Sequence, residues 1–250
     1  MKFSYPFIFF VVISISFAIP FFYLMEKYSK KMEDQKEKIL FIGNSYTYRN
    51  KGVDQHLADL MGNGKKPLDY HITRAAKGKY HLSIHLNDID TKAKFNSEFW
   101  NKVILQEFSS GPIFKTEEFF KNGKKWALEI RNKNPKCQIY LFATWKYKEV
   151  EGMEEELHQQ YERLGRMINA EVIPVGKLWK HLEHKINLYD GDKAHPNRKG
   201  TFATACLFYE YFKNSDVRNT KDSDKFLEKG IQRKIKQLVH SFKESYSAQK

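Results

Sequence analysis

Cysteine is scarce in this sequence, and linkers and repeats are absent. The 250 residues include two cysteines, Cys137 ahead of an apolar run and Cys206 within a helical pattern. These positions suit two buried thiols better than a disulfide framework. No internal repeat and no Gly/Ser-rich linker divides the chain. Because 41% of the residues are hydrophobic, the chain carries enough apolar surface for one full core, and we predict a single folded domain over residues 38–250.

Signatures of metal and nucleic-acid binding are also missing. No His-Glu-x-x-His motif occurs, and the pairs His81/His85 and His181/His184 have no evident third ligand. We therefore interpret these histidines as solvated or capping side chains, and we expect no metal and no cofactor. The net charge of +13 comes mostly from lysines interleaved with acidic residues, without an Arg-rich patch. This pattern indicates a solvated surface and no nucleic-acid partner, while attraction to an anionic membrane or polymer stays open.

A long apolar segment lies near the N-terminus. Residues 7–25 carry no charge and are about long enough to cross a bilayer at roughly 1.5 Å per residue. We predict that residues 1–25 are a signal peptide or a membrane anchor and that residues 26–37 are a charged linker. The folded domain is then expected to be extracytoplasmic, membrane-anchored or secreted. Lys27, Lys30 and Lys31 follow the segment, so an anchor that leaves the domain facing the cytoplasm is the alternative.

Apolar strand patterns alternate with helical patterns through the rest of the chain. Strands are predicted over residues 38–42, 68–75, 102–106, 138–143 and 171–175, and helical periodicity follows each of them. This alternation predicts an α/β protein, in which a five-stranded parallel sheet is covered by helices on both faces as a three-layer α/β/α sandwich. Pro174 cannot donate to a strand ladder, which predicts an edge position for the fifth strand.

Chemically useful residues stand where these strands end. Ser45 follows the first strand after a glycine turn, Gly78 lies in the loop after the second strand, and Gln106 ends the third. Since ligands collect at the carboxyl ends of parallel strands, we expect these residues to share one crevice. Asp192 and His195 lie three apart in a late polar loop. A serine hydroxyl needs a neighbouring base to act as a nucleophile, so these residue types together favour acyl transfer.

The late loop also allows a different interpretation. Asp190-Gly191-Asp192 is ordinary turn composition, and Asp-Gly-Asp loops occur in calcium sites. The ligand spacing of an EF-hand is absent. We therefore favour a turn that carries the Asp–His pair over a calcium site.

The order of these motifs along the chain resembles the SGNH hydrolases, the superfamily of GDSL-type esterases and lipases. The resemblance covers about residues 38–212. It implies a flavodoxin-like three-layer fold with Ser45 as the nucleophile, His195 as the general base and Asp192 as the partner of His195. It also implies an oxyanion hole formed by the backbone N–H groups of Ser45 and Gly78 and by the side-chain amide of Gln106.

Two sequence blocks depart from the pattern of that superfamily. The usual Gly-Asp-Ser is Gly43-Asn44-Ser45 here, and residues 105–109 read Leu-Gln-Glu-Phe-Ser where Gly-x-Asn-Asp is usual. Asn44 has the size of aspartate and can still hold the turn by hydrogen bonding. Gln106 carries the same carboxamide as the missing asparagine, one methylene further from the backbone, and this substitution is the basis for its predicted oxyanion role.

Further residues near the strand ends are candidates for substrate contacts. We name Asn44, Arg74 and Trp145 as substrate-binding candidates, and Phe108 and Tyr147 as possible lining residues. Each has a structural alternative. Arg74 suits a surface ion pair equally well, and aromatic residues at strand ends often cover the core.

These observations predict a serine esterase that removes a short acyl group, such as acetyl from a cell-surface carbohydrate, through an acyl-enzyme. The alternatives are a lipid ester or thioester hydrolase, a non-catalytic glycan- or partner-binding module on the same fold, and a basic membrane-surface scaffold built on the helix predicted at 225–244. The expected partners are a small-molecule or carbohydrate ester and, through the N-terminal segment, a membrane.

Overall fold

The computed structural model describes residues 36–62 and 69–248. Within them, five parallel strands form one sheet in the order β2-β1-β3-β4-β5. The predicted five-stranded parallel sheet is therefore confirmed. Its strands are β1 (Glu37–Gly43), β2 (Tyr70–Ala76), β3 (Lys102–Leu105), β4 (Gln138–Phe142) and β5 (Glu171–Ile173).

Helices cover both faces of this sheet. In β1, successive side chains alternate between the two faces: Ile39 and Phe41 pack into one hydrophobic cluster, and Leu40 and Ile42 pack into the other. Successive side chains of a strand point to opposite faces, so each face has its own core and the three-layer prediction is confirmed. The helices are α1 (Ser45–Tyr48), α2 (Val53–Gly62), α3 (Leu82–His85), α4 (Ile89–Asn96), α5 (Gly111–Phe114), α6 (Thr116–Lys133), α7 (Met153–Ile168), α8 (Val175–Leu182), α9 (Arg198–Lys213) and α10 (Lys229–Ser247), with a 3-10 turn at Val217–Asn219.

The first core cluster contains residues of α2, α8, α9 and α10, and the second contains residues of α3, α4, α6 and α7. Both cysteines are buried free thiols, as their sequence surroundings predict. Burial of the thiols raises the pKa of Cys137 to about 11, so this side chain stays protonated and packs as a small hydrophobic group.

The fifth strand lies at the edge of the sheet, as predicted. It is shorter than its apolar run, because it ends at Ile173 and Pro174 precedes the first turn of α8. The proline therefore ends the strand rather than lying within it, which agrees with its inability to donate to a ladder.

The last helix begins later than predicted. The helix α10 begins at Lys229, four residues after the start that periodicity predicts at 225. Within the described ranges, no helix combines the length and apolar character needed to cross a membrane. The predicted apolar segment 1–25 and nearly all of the linker 26–37 lie outside the described residues.

Candidate active site

The turn that follows β1 presents Ser45 at the carboxyl edge of the sheet. Ser45 is half-buried and is the first residue of α1. The Asn44 side chain accepts a hydrogen bond from the Tyr46 backbone N–H at 3.2 Å and thereby caps this helix. A Cβ at Gly43 would lie 2.5 Å from Thr47 Oγ1. Glycine is therefore needed for the strand to turn this tightly into the helix.

The loop before α9 brings an imidazole to this serine. Ser45 Oγ lies 2.9 Å from His195 Nε2, although the two residues are 150 positions apart. His195 Nδ1 lies 2.5 Å from Asp192 Oδ2. A carboxylate can only accept, so Nδ1 carries the proton and Nε2 offers its lone pair to the serine hydroxyl. The three side chains form one continuous hydrogen-bonded chain.

Local backbone contacts hold the Asp192 carboxylate in place. Its Oδ1 accepts from the N–H of His195 at 2.8 Å and from that of Ala194 at 3.1 Å. Burial raises the pKa of Asp192, but these hydrogen bonds and the imidazole outweigh it and lower the pKa to about 2. Arg49 lies 3.8 Å away and adds a positive charge. The carboxylate is thus ionised at every pH at which a histidine can titrate.

The turn after β2 lies beside the turn after β1, residues 43–45, which we call the serine turn. The register pairs Gly43 with Ala76, and the Lys77 N–H donates to the Gly43 carbonyl at 3.3 Å. A Cβ at Gly78 would approach the Tyr48 hydroxyl to 3.1 Å. The predicted oxyanion glycine is therefore in the loop that passes against α1.

Gln106 does not have the free carboxamide that its predicted oxyanion role requires. Its Oε1 accepts from the Asn44 backbone N–H at 2.9 Å and from the Thr47 hydroxyl at 3.1 Å, and its Nε2 donates to the Glu107 carbonyl. The side chain is 1% exposed. The predicted oxyanion role of Gln106 is therefore wrong. Gln106 stabilises the turn after β1, because β3 pairs with β1 and places Gln106 directly beside Gly43.

The three proposed substrate contacts have structural roles instead. Asn44 is buried, with Nδ2 donating to the Tyr80 carbonyl at 3.1 Å in addition to its capping bond. Arg74 forms an ion pair with the buried Asp54 and donates to the Lys51 carbonyl. It therefore follows the ion-pair alternative and is not a free cation for a substrate.

Trp145 is buried below the histidine loop. Its ring stacks on Tyr46 at 4.3 Å and on Trp179 at 3.8 Å between centroids. Its Nε1 donates to the Ala194 carbonyl at 2.9 Å. Because only 1% of the residue is exposed, Trp145 supports the loop before His195 rather than lining a substrate pocket. The other aromatic candidates, Phe108 and Tyr147, are half-buried.

A buried histidine that sequence reasoning treated as solvated or capping also supports the site. His85 Nε2 lies 2.8 Å from the Gly43 carbonyl, and its Nδ1 lies 2.8 Å from Thr91 Oγ1. Burial lowers the pKa of His85. His81, four residues earlier, contacts the Glu107 carboxylate at 3.1 Å. The only sequence feature that indicated a role for His85 at the site is its position about one helical turn after the loop that follows β2.

One group of possible metal ligands occurs among the described residues. Glu210 in α9, Asp216 in the loop after it and His240 in α10 lie close together. The Val217 N–H donates to Glu210 and Arg218 binds Asp216, so these carboxylates already have protein partners.

Comparisons with known proteins agree with this architecture. No family profile and no curated protein sequence matches the chain. Among solved structures, it is similar to a protein of Slackia heliotrinireducens assigned to the SGNH hydrolases, with 22% identity, a TM-score of 0.61 and coverage of 71% of this chain and 99% of that one. It is also similar to the esterase EstA from Pseudoalteromonas, with 14% identity, a TM-score of 0.58 and coverage of 72% of this chain and 98% of that one. For an acetylxylan esterase from Geobacillus stearothermophilus, the identity is 14%, the TM-score is 0.53 and the coverage is 71% of this chain and 93% of that one.

These similarities define the fold. The described part of the chain has the fold of the SGNH hydrolases, as the order of the sequence motifs predicted.

Proposed function

We propose that this protein is a serine esterase that works through a Ser45–His195–Asp192 triad. The observation that carries the proposal is the continuous hydrogen-bonded chain, with 2.9 Å between Ser45 Oγ and His195 Nε2 and 2.5 Å between His195 Nδ1 and Asp192 Oδ2. Segments that are far apart in the sequence form this chain. A serine, an imidazole and a carboxylate in this order provide the nucleophile, the general base and the group that orients the base in acyl transfer.

The reaction proceeds in two halves. Ser45 Oγ attacks the ester carbonyl while His195 Nε2 takes its proton, and Asp192 stabilises the resulting imidazolium. The tetrahedral intermediate expels the alcohol, which receives the proton from Nε2, and the acyl group stays on Ser45. Water then attacks the acyl-enzyme with His195 again acting as the base, and the carboxylic acid leaves as Ser45 regains its proton.

The negative oxygen of each intermediate needs hydrogen-bond donors. We assign the backbone N–H groups of Ser45 and Gly78 to this role. The support is the start of α1 at Ser45 and the packing of the Gly78 turn against that helix. Backbone donors fixed before the reaction stabilise developing charge without reorganising.

The proposed substrate is an ester with a short acyl group, such as acetyl on a cell-surface carbohydrate. Two points support it. The acetylxylan esterase among the similar structures acts on an acetylated sugar polymer according to its description. The apolar segment 7–25 would tether or export the domain to the surface where such polymers lie.

The test is a matched pair of serine variants. Wild type, Ser45→Ala and Ser83→Ala are assayed on p-nitrophenyl esters of increasing chain length and on acetylated xylan, and each is treated with a fluorophosphonate probe. We expect wild type and Ser83→Ala to label and to prefer acetyl, and Ser45→Ala to do neither. Hydrolysis by Ser45→Ala would remove the serine mechanism. Strong preference for long chains or thioesters would select the lipid alternative, and a folded wild type that neither labels nor hydrolyses would select the binding module.

A further inference from the structure

Three hydroxyl groups, one from α1 and two from the loops after β3 and β4, lie close together near the proposed nucleophile. Ser109, after β3, has its Oγ 2.8 Å from the hydroxyl of Tyr147, which follows β4. The hydroxyl of Tyr46, in α1, lies close enough to both groups for each to affect its pKa. Ser109 is 6% exposed and Tyr46 is 3% exposed. We refer to Tyr46, Ser109 and Tyr147 as the hydroxyl cluster.

The hydroxyl cluster lies next to the triad. Tyr46 follows Ser45 directly, and its ring meets the His195 imidazole edge-on at 5.5 Å between centroids. The loop that carries Ser109 is joined to the serine turn, because Asn44 Nδ2 approaches the Glu107 carbonyl at 3.5 Å. The cluster is therefore linked to Ser45 through both of its chain neighbours, Asn44 and Tyr46.

One member of the cluster has no partner of normal geometry. The Tyr46 hydroxyl is buried and has no hydrogen-bond partner of normal geometry in the described part of the chain, although the Ser109 hydroxyl lies close enough to oppose the rise of its pKa. A buried donor without a partner costs stability, and native proteins keep few of them. Burial raises the pKa of Tyr46, so the phenol keeps its proton and remains a donor.

Ser109 can complete the set of donors that the reaction needs. Gln106 does not take this role, since its carboxamide is 1% exposed and is held against the turn by bonds to the Asn44 N–H and the Glu107 carbonyl. A serine hydroxyl donates one hydrogen bond and accepts two. If Ser109 donates to a substrate oxygen, its lone pairs can accept from Tyr147 and Tyr46, and hydrogen bonds in such a chain strengthen one another.

We propose that Ser109 is a catalytic residue whose hydroxyl donates to the oxyanion formed on attack by Ser45, and that Tyr147 and Tyr46 are positioning residues that orient and polarise this hydroxyl. The inference rests on the proposed esterase function. It supplies a side-chain donor next to the two backbone donors, at the place where Gln106 was expected to act.

The experiment compares Ser109→Ala and Tyr147→Phe with Ser110→Ala. Ser110 is the neighbouring serine, and its side chain makes no capping bond to α5. We expect Ser109→Ala to lower kcat for p-nitrophenyl acetate about 100-fold with little change in KM, because one oxyanion donor is lost. Tyr147→Phe, which keeps its ring, lowers kcat about 10-fold, since the donor remains but is no longer polarised. Ser110→Ala matches wild type.

A second measurement separates catalysis from packing. A trifluoromethyl ketone forms a tetrahedral adduct on the nucleophilic serine, and its affinity should fall in each variant by the same factor as kcat/KM. Unchanged affinity, or a loss confined to KM, overturns the inference. If Ser109→Ala does not fold, Tyr147→Phe decides by the same criteria. An active wild type with unaffected variants overturns this inference alone, whereas a folded wild type that neither hydrolyses nor labels overturns the proposed function and this inference with it.

Discussion

The buried indole of Trp145 offers the sharpest test of how the catalytic loop is held. Trp145→Phe keeps an aromatic ring between Tyr46 and Trp179 but removes the N–H that donates to the Ala194 carbonyl at 2.9 Å. Two buried carbons at about 0.8 kcal/mol each and a hydrogen bond of about 1 kcal/mol give a loss of roughly 2–3 kcal/mol. For a domain of this size, Tm then falls by about 5–10 °C.

The same change should also slow the reaction. Ala194 precedes His195, so release of its carbonyl lets the imidazole move away from Ser45. A misplacement of about 1 Å can cost up to about 100-fold in rate, and we expect kcat on p-nitrophenyl acetate to fall about 10- to 100-fold at a temperature well below Tm. The measurements are thermal unfolding and steady-state kinetics on the same preparation.

Trp179→Phe is the matched control. Trp179 is equally buried and shares the stack, but its N–H donates to Thr204 in α9 at 3.2 Å and not to the histidine loop. We expect a similar loss of Tm and little change in kcat. The reasoning is refuted if Trp145→Phe keeps the wild-type kcat, or if both variants lose kcat in proportion to their loss of stability.

Three further predictions concern stability. Burial lowers the pKa of His56 and His85 below the usual 6.5. At pH values below about 6.5 the unfolded chain therefore binds more protons than the folded one, and Tm should fall steadily as the pH drops. A Tm that stays constant from pH 7 to 5 would contradict this. A Cβ at Gly200 would lie 2.4 Å from a backbone oxygen, whereas a Cβ at Gly230 would meet nothing within 4 Å. Gly200→Ala should therefore lower the free energy of unfolding by about 1–3 kcal/mol, and Gly230→Ala should leave it unchanged, as measured by urea unfolding. Gln106→Leu should lose about 2–3 kcal/mol, because two buried donors lose their acceptor; wild-type stability in this variant would restore a role for Gln106 outside the turn.

The fold was predictable because its signals are local. Apolar runs alternate with helical periodicity, and each run that forms a strand is bounded by residues that end strands. The elements that were not predicted are the four-residue α5 and the eight-residue α4. The four residues of α5 carry too little periodicity to reveal it. In α4, exposed Ile89 interrupts the amphipathic pattern.

The candidate site was only partly predictable. Its members could be named, because a serine after a glycine turn and an Asp-x-x-His loop each have a chemical reason for their composition. Their partners could not be named. Gln106 and Trp145 both lie at strand ends, as substrate-contacting residues do, yet each uses its polar atoms to hold the turn or the loop.

Local sequence patterns are sufficient to predict the α/β architecture, the edge strand and a serine, a histidine and an aspartate suited to acyl transfer. The packing of distant segments, by contrast, sets which buried polar atoms are already paired and which remain available, including the Tyr46 hydroxyl near Ser109. Hydrogen bonds between residues 38 to 150 positions apart depend on ångström-scale placement of packed side chains. Spacing along the chain does not encode that placement.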